Sequence, residues 1–155
     1  MSTLTKRQKN KQIAARVFWW GLSAACAIMI FCLSHDDAAA SSGKSSGLAA
    51  CLSAALGITV SQDFLRTLAH ATEYAVLAGC LFFAFRSSRR AAKPYWAFLT
   101  AVLYAGTDEI HQYFVPGRAF QLSDILIDAA GAAVSLFLLV LCQKLISLLR
   151  ARQKQ

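Results

Sequence analysis

The stretch "LSDILIDAAGAAVSLFLLVLCQKLI", Leu122 to Ile146, decides the class of this chain. The hydrocarbon core of a bilayer is about 30 Å thick and takes about 20 helical residues to cross. This stretch supplies an apolar run of that length. It also places two carboxylates, Asp124 and Asp128, in its opening turns. Working upstream, three more segments have the length of a crossing. They are Ala14 to Ser34, Phe64 to Phe85 and Pro94 to Phe114. The first is as apolar as the last; the middle two carry ionisable groups within them.

Composition supports the same class. Of 155 residues, 57% are apolar and 15% charged, against roughly 25% charged in ordinary soluble domains. A soluble bundle of this composition would have too few surface charges to stay dispersed. The net charge of +8 raises nucleic acid as a partner. A nucleic-acid binder, however, presents a basic face interleaved with polar and aromatic contacts. Here the basic residues sit between long apolar runs, so no nucleic-acid partner is expected. The prediction is an all-α, integral membrane four-helix bundle over 14–146, with basic cytoplasmic tails at 1–13 and 147–155. The first segment has a basic start and "AAA" at Ala38 to Ala40, as a cleaved signal would. Its apolar run is too long for that, and Asp36 and Asp37 intervene, so an uncleaved anchor is expected. Cys26, Cys32, Cys80 and Cys142 fall inside apolar helices and Cys51 in a loop. With no C-x-x-C pair, they read as small buried hydrophobes rather than a disulfide framework or metal site.

Positive residues flank membrane helices on the cytoplasmic side. Lys6, Arg7, Lys9, Lys11 and Arg16 precede the first segment, Arg86, Arg89, Arg90 and Lys93 fill the second connection, and Lys144, Arg150, Arg152 and Lys154 close the chain. In an up-and-down layout these thirteen of the sixteen basic residues share one side. That predicts a multi-pass protein of the bacterial inner membrane with both termini cytoplasmic. The acidic residues fall in the opposite half. Asp36, Asp37 and Asp63 lie in the first outer connection, and Glu73, Asp108, Glu109, Asp124 and Asp128 in the outer halves of helices. Pro116 and Gly117 in "VPGR" supply the fixed and permissive positions of an outer turn. The Ser-, Ala- and Gly-rich connection from His35 to Asp63 leaves order and mobility both open. Within it, Gly47 to Val60 is too short to span and reads as a short interfacial or re-entrant helix.

Helix spacing gathers the polar residues. His70, Glu73 and Tyr74 share a face of the second segment; Asp108, His111 and Gln112 share one of the third; Asp124 and Asp128 share one of the fourth. Charged groups at membrane depth are costly unless paired or hydrated, so they normally turn into the bundle. One outward-opening polar pocket is the simplest arrangement. His70, Glu73, Asp108 and Asp128 are its candidate catalytic groups. Tyr74, Glu109, His111, Gln112, Arg118 and Asp124 are its candidate binding groups. Plainer roles exist for several. Asp124 or Ser123 could cap a helix, Asp108, Glu109 and Gln112 could be solvated at the interface, Tyr74 could simply pack, and Arg118 could anchor to lipid phosphate or pair with the acids. Small residues beside Glu73 (Ala71, Ala75, Ala78, Gly79) and after Asp128 (Ala129 to Ala133) would let these two helices approach closely. No dense ligand signature such as H-E-x-x-H is present, so neither a metal nor another cofactor is expected.

Three motifs in order, "HATEYAVL" at His70 to Leu77, "DEIHQYFVPGR" at Asp108 to Arg118 and "LSDILIDAAGA" at Leu122 to Ala132, resemble the VanZ-like family. "FCLSH…SSGKSS" after the first segment is similar to that family's first outer segment. The family's recurring His and Tyr fall on His70 and Tyr74, and its acidic-plus-Gln pattern on Asp108, Glu109 and Gln112. Its Arg falls on Arg118, and its paired acid and amide on Asp124 and Asp128, where many members carry Asn at the second position. The founding member is associated with resistance to the glycopeptide teicoplanin. The resemblance implies a small bacterial inner-membrane protein at the outer face of the cell envelope, in contact with membrane lipids and acting on an envelope lipid, a lipid-linked cell-wall precursor or a glycopeptide antibiotic. Three functions follow from the residues: a binding or accessory protein, an intramembrane hydrolase or transferase using carboxylate–His acid–base or metal chemistry, and proton-coupled transport. Four short helices would need to oligomerise to make a complete transporter, and association of copies stays open.

Overall fold

Helix formation follows the apolar runs, and local signals set the ends. The computed structural model describes residues 5–35, 38–88 and 93–153. Among the described residues there are five helices: α1 (Lys6–Ser34), α2 (Ala38–Leu56), α3 (Gln62–Ser88), α4 (Pro94–Tyr113) and α5 (Leu122–Arg152). Thr5 and Gln8 form a capping box that starts α1 within the basic segment, ahead of the apolar run. Likewise α5 continues through the basic residues to Arg152. The Ser61 hydroxyl accepts from the Phe64 amide at 3.1 Å and starts α3. Pro94 occupies the first turn of α4, where its missing N–H costs nothing. Between α4 and α5, the Arg118 amide donates to the Val115 carbonyl at 3.1 Å. Gly117 takes φ +76° in that turn, as the third residue of a type II turn requires.

Four of these helices match the expected long segments, and α2 lies in the first outer connection, where a short interfacial or re-entrant helix was expected within 47–60. It runs 19 residues and starts earlier than that segment. Alanine, the strongest helix former, carries the helix through a segment whose glycines and serines also resemble a linker. It ends before Gly57, whose φ of +68° is the left-handed conformation common just past a helix C-terminus. Among the described residues, three helices, α1, α3 and α5, are long and apolar enough to cross a membrane. The third predicted crossing, α4, is not one of them, and its last two turns hold Asp108 and Glu109. Asp36, Asp37, Arg89, Arg90 and Lys154, which entered the charge argument, lie outside the described residues.

The central helix is α3, which packs against all four others. Trp20–Ser88 and Cys26–Cys80 pair α1 with α3 in opposite directions. Arg66–Asp124, His70–Asp128 and Arg86–Gln143 advance together, so α3 and α5 run parallel. Ser34–Asp108 and His35–His111 likewise align α1 with α4. The end of α1, the starts of α3 and α5 and the α4–α5 turn thus share one end of the bundle, called here the hairpin end. The core is lined by Tyr74, Leu77, Ala78, Leu81 and Phe82 of α3. Against them lie Ile30, Ala132, Leu136 and the stripe Ala97, Ala101 and Ala105 of α4, whose small side chains bring α4 close. Large apolar side chains point outward along the helices, among them Phe18, Ile28, Leu103, Val134 and Phe137. Where α3 crosses α5 the two backbones pack closely. A methyl group at Gly131 would sit 2.8 Å from both the carbonyl carbon and the Cα of Ala71.

Candidate functional site

The polar residues collect at the hairpin end. Asp108, Glu109 and Gln112 are buried on α4, Asp124 and Asp128 on α5, Tyr74 on α3 and Ser34 at the end of α1. Four of these carry ionisable carboxyls, in a chain with eight acidic residues altogether.

One hydrogen-bond chain links the turn to α1. Arg118 Nη1 donates to Gln112 Oε1 at 2.9 Å. Gln112 Nε2 donates to Asp108 Oδ2 at 3.1 Å and to Ser34 Oγ at 3.3 Å. The Ser34 hydroxyl donates to the same Asp108 oxygen at 2.8 Å. Arg118 therefore reaches Asp108 through an amide, where a direct ion pair with Asp108, Glu109 or Asp124 was one sequence alternative. The cation at Asp124 is Arg66 instead, 3.5 Å away, and Ser123 Oγ donates to the other Asp124 oxygen at 3.3 Å. Glu109 Oε2 accepts from the backbone amide of Gln121 at 2.8 Å, tying α4 to the start of α5. Gln121 is the N-cap residue of α5. Asp124 lies in the first turn, where the helix dipole also favours a negative charge.

His70 Nδ1 lies 3.4 Å from Asp128 Oδ1, at ion-pair distance without the alignment of a hydrogen bond. This contact sits at the α3–α5 crossing. His70 precedes Ala71, and Asp128 lies one turn before Gly131. The Tyr74 hydroxyl, Asp108 Oδ1 and Glu109 Oε1 are buried with no hydrogen-bond partner among the described residues. Burying such a group unsatisfied costs about 1–3 kcal/mol. Glu73 is half-buried, near enough to His70, Asp128, Asp108 and Arg118 to feel their charges.

His111 stands apart from this group. It turns to α1, where its Nε2 lies 3.3 Å from His35 Nδ1, and its ring packs 4.4 Å from that of Phe31. Sequence reasoning did not single out Ser34, His35 or Arg66 as site residues. Arg66 precedes His70 by one helical turn, so spacing could have found it. Ser34 and His35 had only their place in "FCLSH" to mark them. Among the described residues, no group of three or more His, Cys, Asp and Glu side chains is arranged to hold a metal ion.

Two cavities flank the α3–α5 crossing. A polar mouth of about 210 Å³ lies above it, lined by Asp63, Arg66, His70, Gln121 and Asp124. An apolar groove of about 610 Å³, lined by Trp19, Ala71, Ala75, Gly79, Gly131 and Val134, lies along the helices below.

Apolar helices enclosing a buried, carboxylate-rich network at one end define a helical membrane protein with an internal polar site. Residues 18–143 match the VanZ/LLP1 family model, most of the chain, and the protein belongs to that family. No curated protein and no solved structure matches it significantly.

Proposed function

We propose that this VanZ-family protein binds or modifies an amphiphilic molecule of the cell envelope in an outward-facing polar pocket at the hairpin end. An envelope lipid, a lipid-linked cell-wall precursor and a glycopeptide antibiotic share that amphiphilic chemistry. The observation that carries the reading is the set of buried polar atoms on Tyr74, Asp108 and Glu109 that no described residue pairs. Charged and polar groups at membrane depth are costly, and they persist where a pathway or ligand uses them. In this reading the protein is a multi-pass protein of the bacterial inner membrane, with both termini in the cytoplasm. Lys6, Arg7, Lys9, Lys11 and Arg16 at the start of α1, Arg86 and Lys93 at the α3–α4 connection, and Lys144, Arg150 and Arg152 on α5 support that orientation. Trp20, Tyr95 and Trp96 at the same end supply an interfacial aromatic belt.

The pair His70–Asp128 supports a second reading, an intramembrane hydrolase or transferase. A carboxylate beside one imidazole nitrogen orients the ring and stabilises its protonated form, the relation between base and acid in acyl-transfer sites. Glu73 and Asp108 are then the remaining acid–base candidates. Lipid analysis and antibiotic susceptibility of a deletion strain, complemented by wild type and by Glu73→Gln, test both. Altered lipids restored by wild type but not by Glu73→Gln support chemistry or binding at the pocket. A deletion that changes neither lipids nor susceptibility, or full rescue by Glu73→Gln together with Asp128→Asn, refutes the site.

A further inference from the structure

We infer that a cavity between the start of α1 and the end of α3 seats the phosphate of an anionic phospholipid, with one acyl chain of the same molecule in the apolar groove. This site lies at the opposite end of the bundle from the hairpin-end pocket and does not depend on it. The cavity has a volume of about 190 Å³ and is lined by Gln12, Ala15, Arg16, Arg86, Ser87 and Ser88. Two guanidiniums thus share it with an amide and two hydroxyls, and guanidiniums match a phosphate in charge and in geometry. Arg86 is held in place from two sides. Its Nη1 donates to Gln143 Oε1 of α5 at 3.0 Å, and its guanidinium lies 5.6 Å from the centre of the Phe82 ring. Ser88 Oγ accepts the indole N–H of Trp20 at 2.9 Å, which leaves its own proton to donate. What this end of the bundle lacks is negative charge. The sequence has no Asp or Glu in 1–35, 74–107 or 129–155. No acidic side chain there neutralises Arg16 or Arg86, and an anionic headgroup supplies the missing charge, as it does for other basic pockets between membrane helices.

The groove points to a lipid rather than a free anion. On α1, Gln12, Ala15, Arg16 and Trp19 recur at helical spacing and share a face; on α3, Phe83, Arg86 and Ser87 do the same. Trp19 and Phe83, whose rings stack at 4.6 Å, form part of the wall of the apolar groove. The groove therefore begins one helical turn from the two arginines. It extends along α3 from Phe83 to Ala71, about 18 Å at 1.5 Å per residue. That is close to the depth of one leaflet, half of a hydrocarbon core about 30 Å thick. Ala75, Gly79 and Gly131 leave the space open, and Val134 and Leu139 of α5 give it an apolar wall.

Tryptophan fluorescence of the full chain, reconstituted into phosphatidylcholine vesicles, tests this with two probes carrying the same brominated acyl chains: phosphatidylglycerol and phosphatidylcholine. Bromine quenches only at short range, and the share of Trp19 is read by comparison with Trp19→Phe. The anionic lipid is expected to quench Trp19 at about tenfold lower mole fraction than the zwitterionic one, the scale of one charged hydrogen bond. Arg16→Gln with Arg86→Gln should bring that ratio close to one. Arg150→Gln with Arg152→Gln removes the same charge from the tail of α5 and should leave it unchanged. If the first pair fails to fold, as judged by helical circular dichroism and gel filtration, Arg16→Gln alone, at an exposed position, must still lower the ratio. Equal quenching by the two lipids overturns recognition of the headgroup. A preference that survives loss of Arg16 and Arg86, or falls as far with Arg150 and Arg152, overturns the cavity. Loss of the preference to millimolar inorganic phosphate, but not to chloride at matched ionic strength, makes this a free-phosphate site and overturns the lipid. Quenching of Trp19 by neither probe overturns the acyl chain in the groove, and is the result that a helix of a second copy seated there would give.

Discussion

Replacing Gly131 by alanine tests the geometry on which the site depends. The new methyl would lie 2.8 Å from two backbone carbons of Ala71. Carbon atoms rest about 3.5–4.0 Å apart. Backbone cannot rotate aside as a side chain can, so α3 and α5 must separate by about 1 Å. Overpacking of this kind costs about 1–3 kcal/mol, roughly a 5- to 150-fold fall in the folded-to-unfolded ratio. The separation acts beside the 3.4 Å contact of His70 with Asp128 and carries it beyond about 4 Å, past ion-pair reach. Titration with SDS in mixed micelles, followed by circular dichroism, measures the loss. Gly21→Ala and Gly106→Ala are the controls, because a methyl at either meets nothing within 4 Å. On helix propensity alone these should gain about 0.5–1 kcal/mol. If Gly131→Ala unfolds no earlier than Gly21→Ala, the close crossing is wrong, and so is the account of what holds His70 against Asp128.

In a cysteine-free background, a cysteine at Gly117 should react with a membrane-impermeant thiol reagent from the periplasmic side and one at Ser88 should not; the reverse pattern would invert the proposed orientation. Asp108→Ala strips the acceptor from both Ser34 and Gln112 and should destabilise the protein by about 1–3 kcal/mol per stranded group, read in the same SDS titration, with Asp108→Asn milder; equal stability of all three proteins would contradict the network. Arg118→Ala should impair complementation more than Arg118→Lys, which keeps the charge but loses the planar fork, and far more than Arg150→Ala at matched expression. Cys26 and Cys80, with sulfur atoms 3.9 Å apart, should form an intramolecular disulfide under copper–phenanthroline; failure to cross-link would place α1 differently against α3.

Much of this arrangement was legible because a bilayer leaves few choices. Long apolar runs mark α1, α3 and α5, and the turn at Pro116 and Gly117 follows from backbone chemistry alone. Helical spacing correctly paired Asp108 with Gln112, since both lie on one face of one helix. It could not foresee that His111, three residues from Asp108, would turn to α1. That choice depends on Phe31 and His35, which are far away in sequence. Ser34 was hidden for the same reason, as a serine ending an apolar helix looks like a boundary until the helix beside it is known. The α2 segment was underestimated because its glycines and serines suit a linker, while its alanines suit a helix. Arg66 lay within reach of the spacing argument, one turn before His70.

Gln112 gives the network a fixed polarity. Its oxygen faces the guanidinium of Arg118, and its nitrogen faces Asp108 and Ser34. The amide thus works as an insulator. It couples cation to carboxylate while keeping them one side chain apart, and it offers no titratable proton for them to exchange. Glutamate, close to it in shape, would satisfy Arg118 but repel Asp108 across one turn of α4. A reversed amide would turn its donors on the guanidinium and its acceptor on the carboxylate. The position therefore tolerates neither a charge nor a flip, and Asp108 is left with one committed oxygen and one, Oδ1, that no described residue engages.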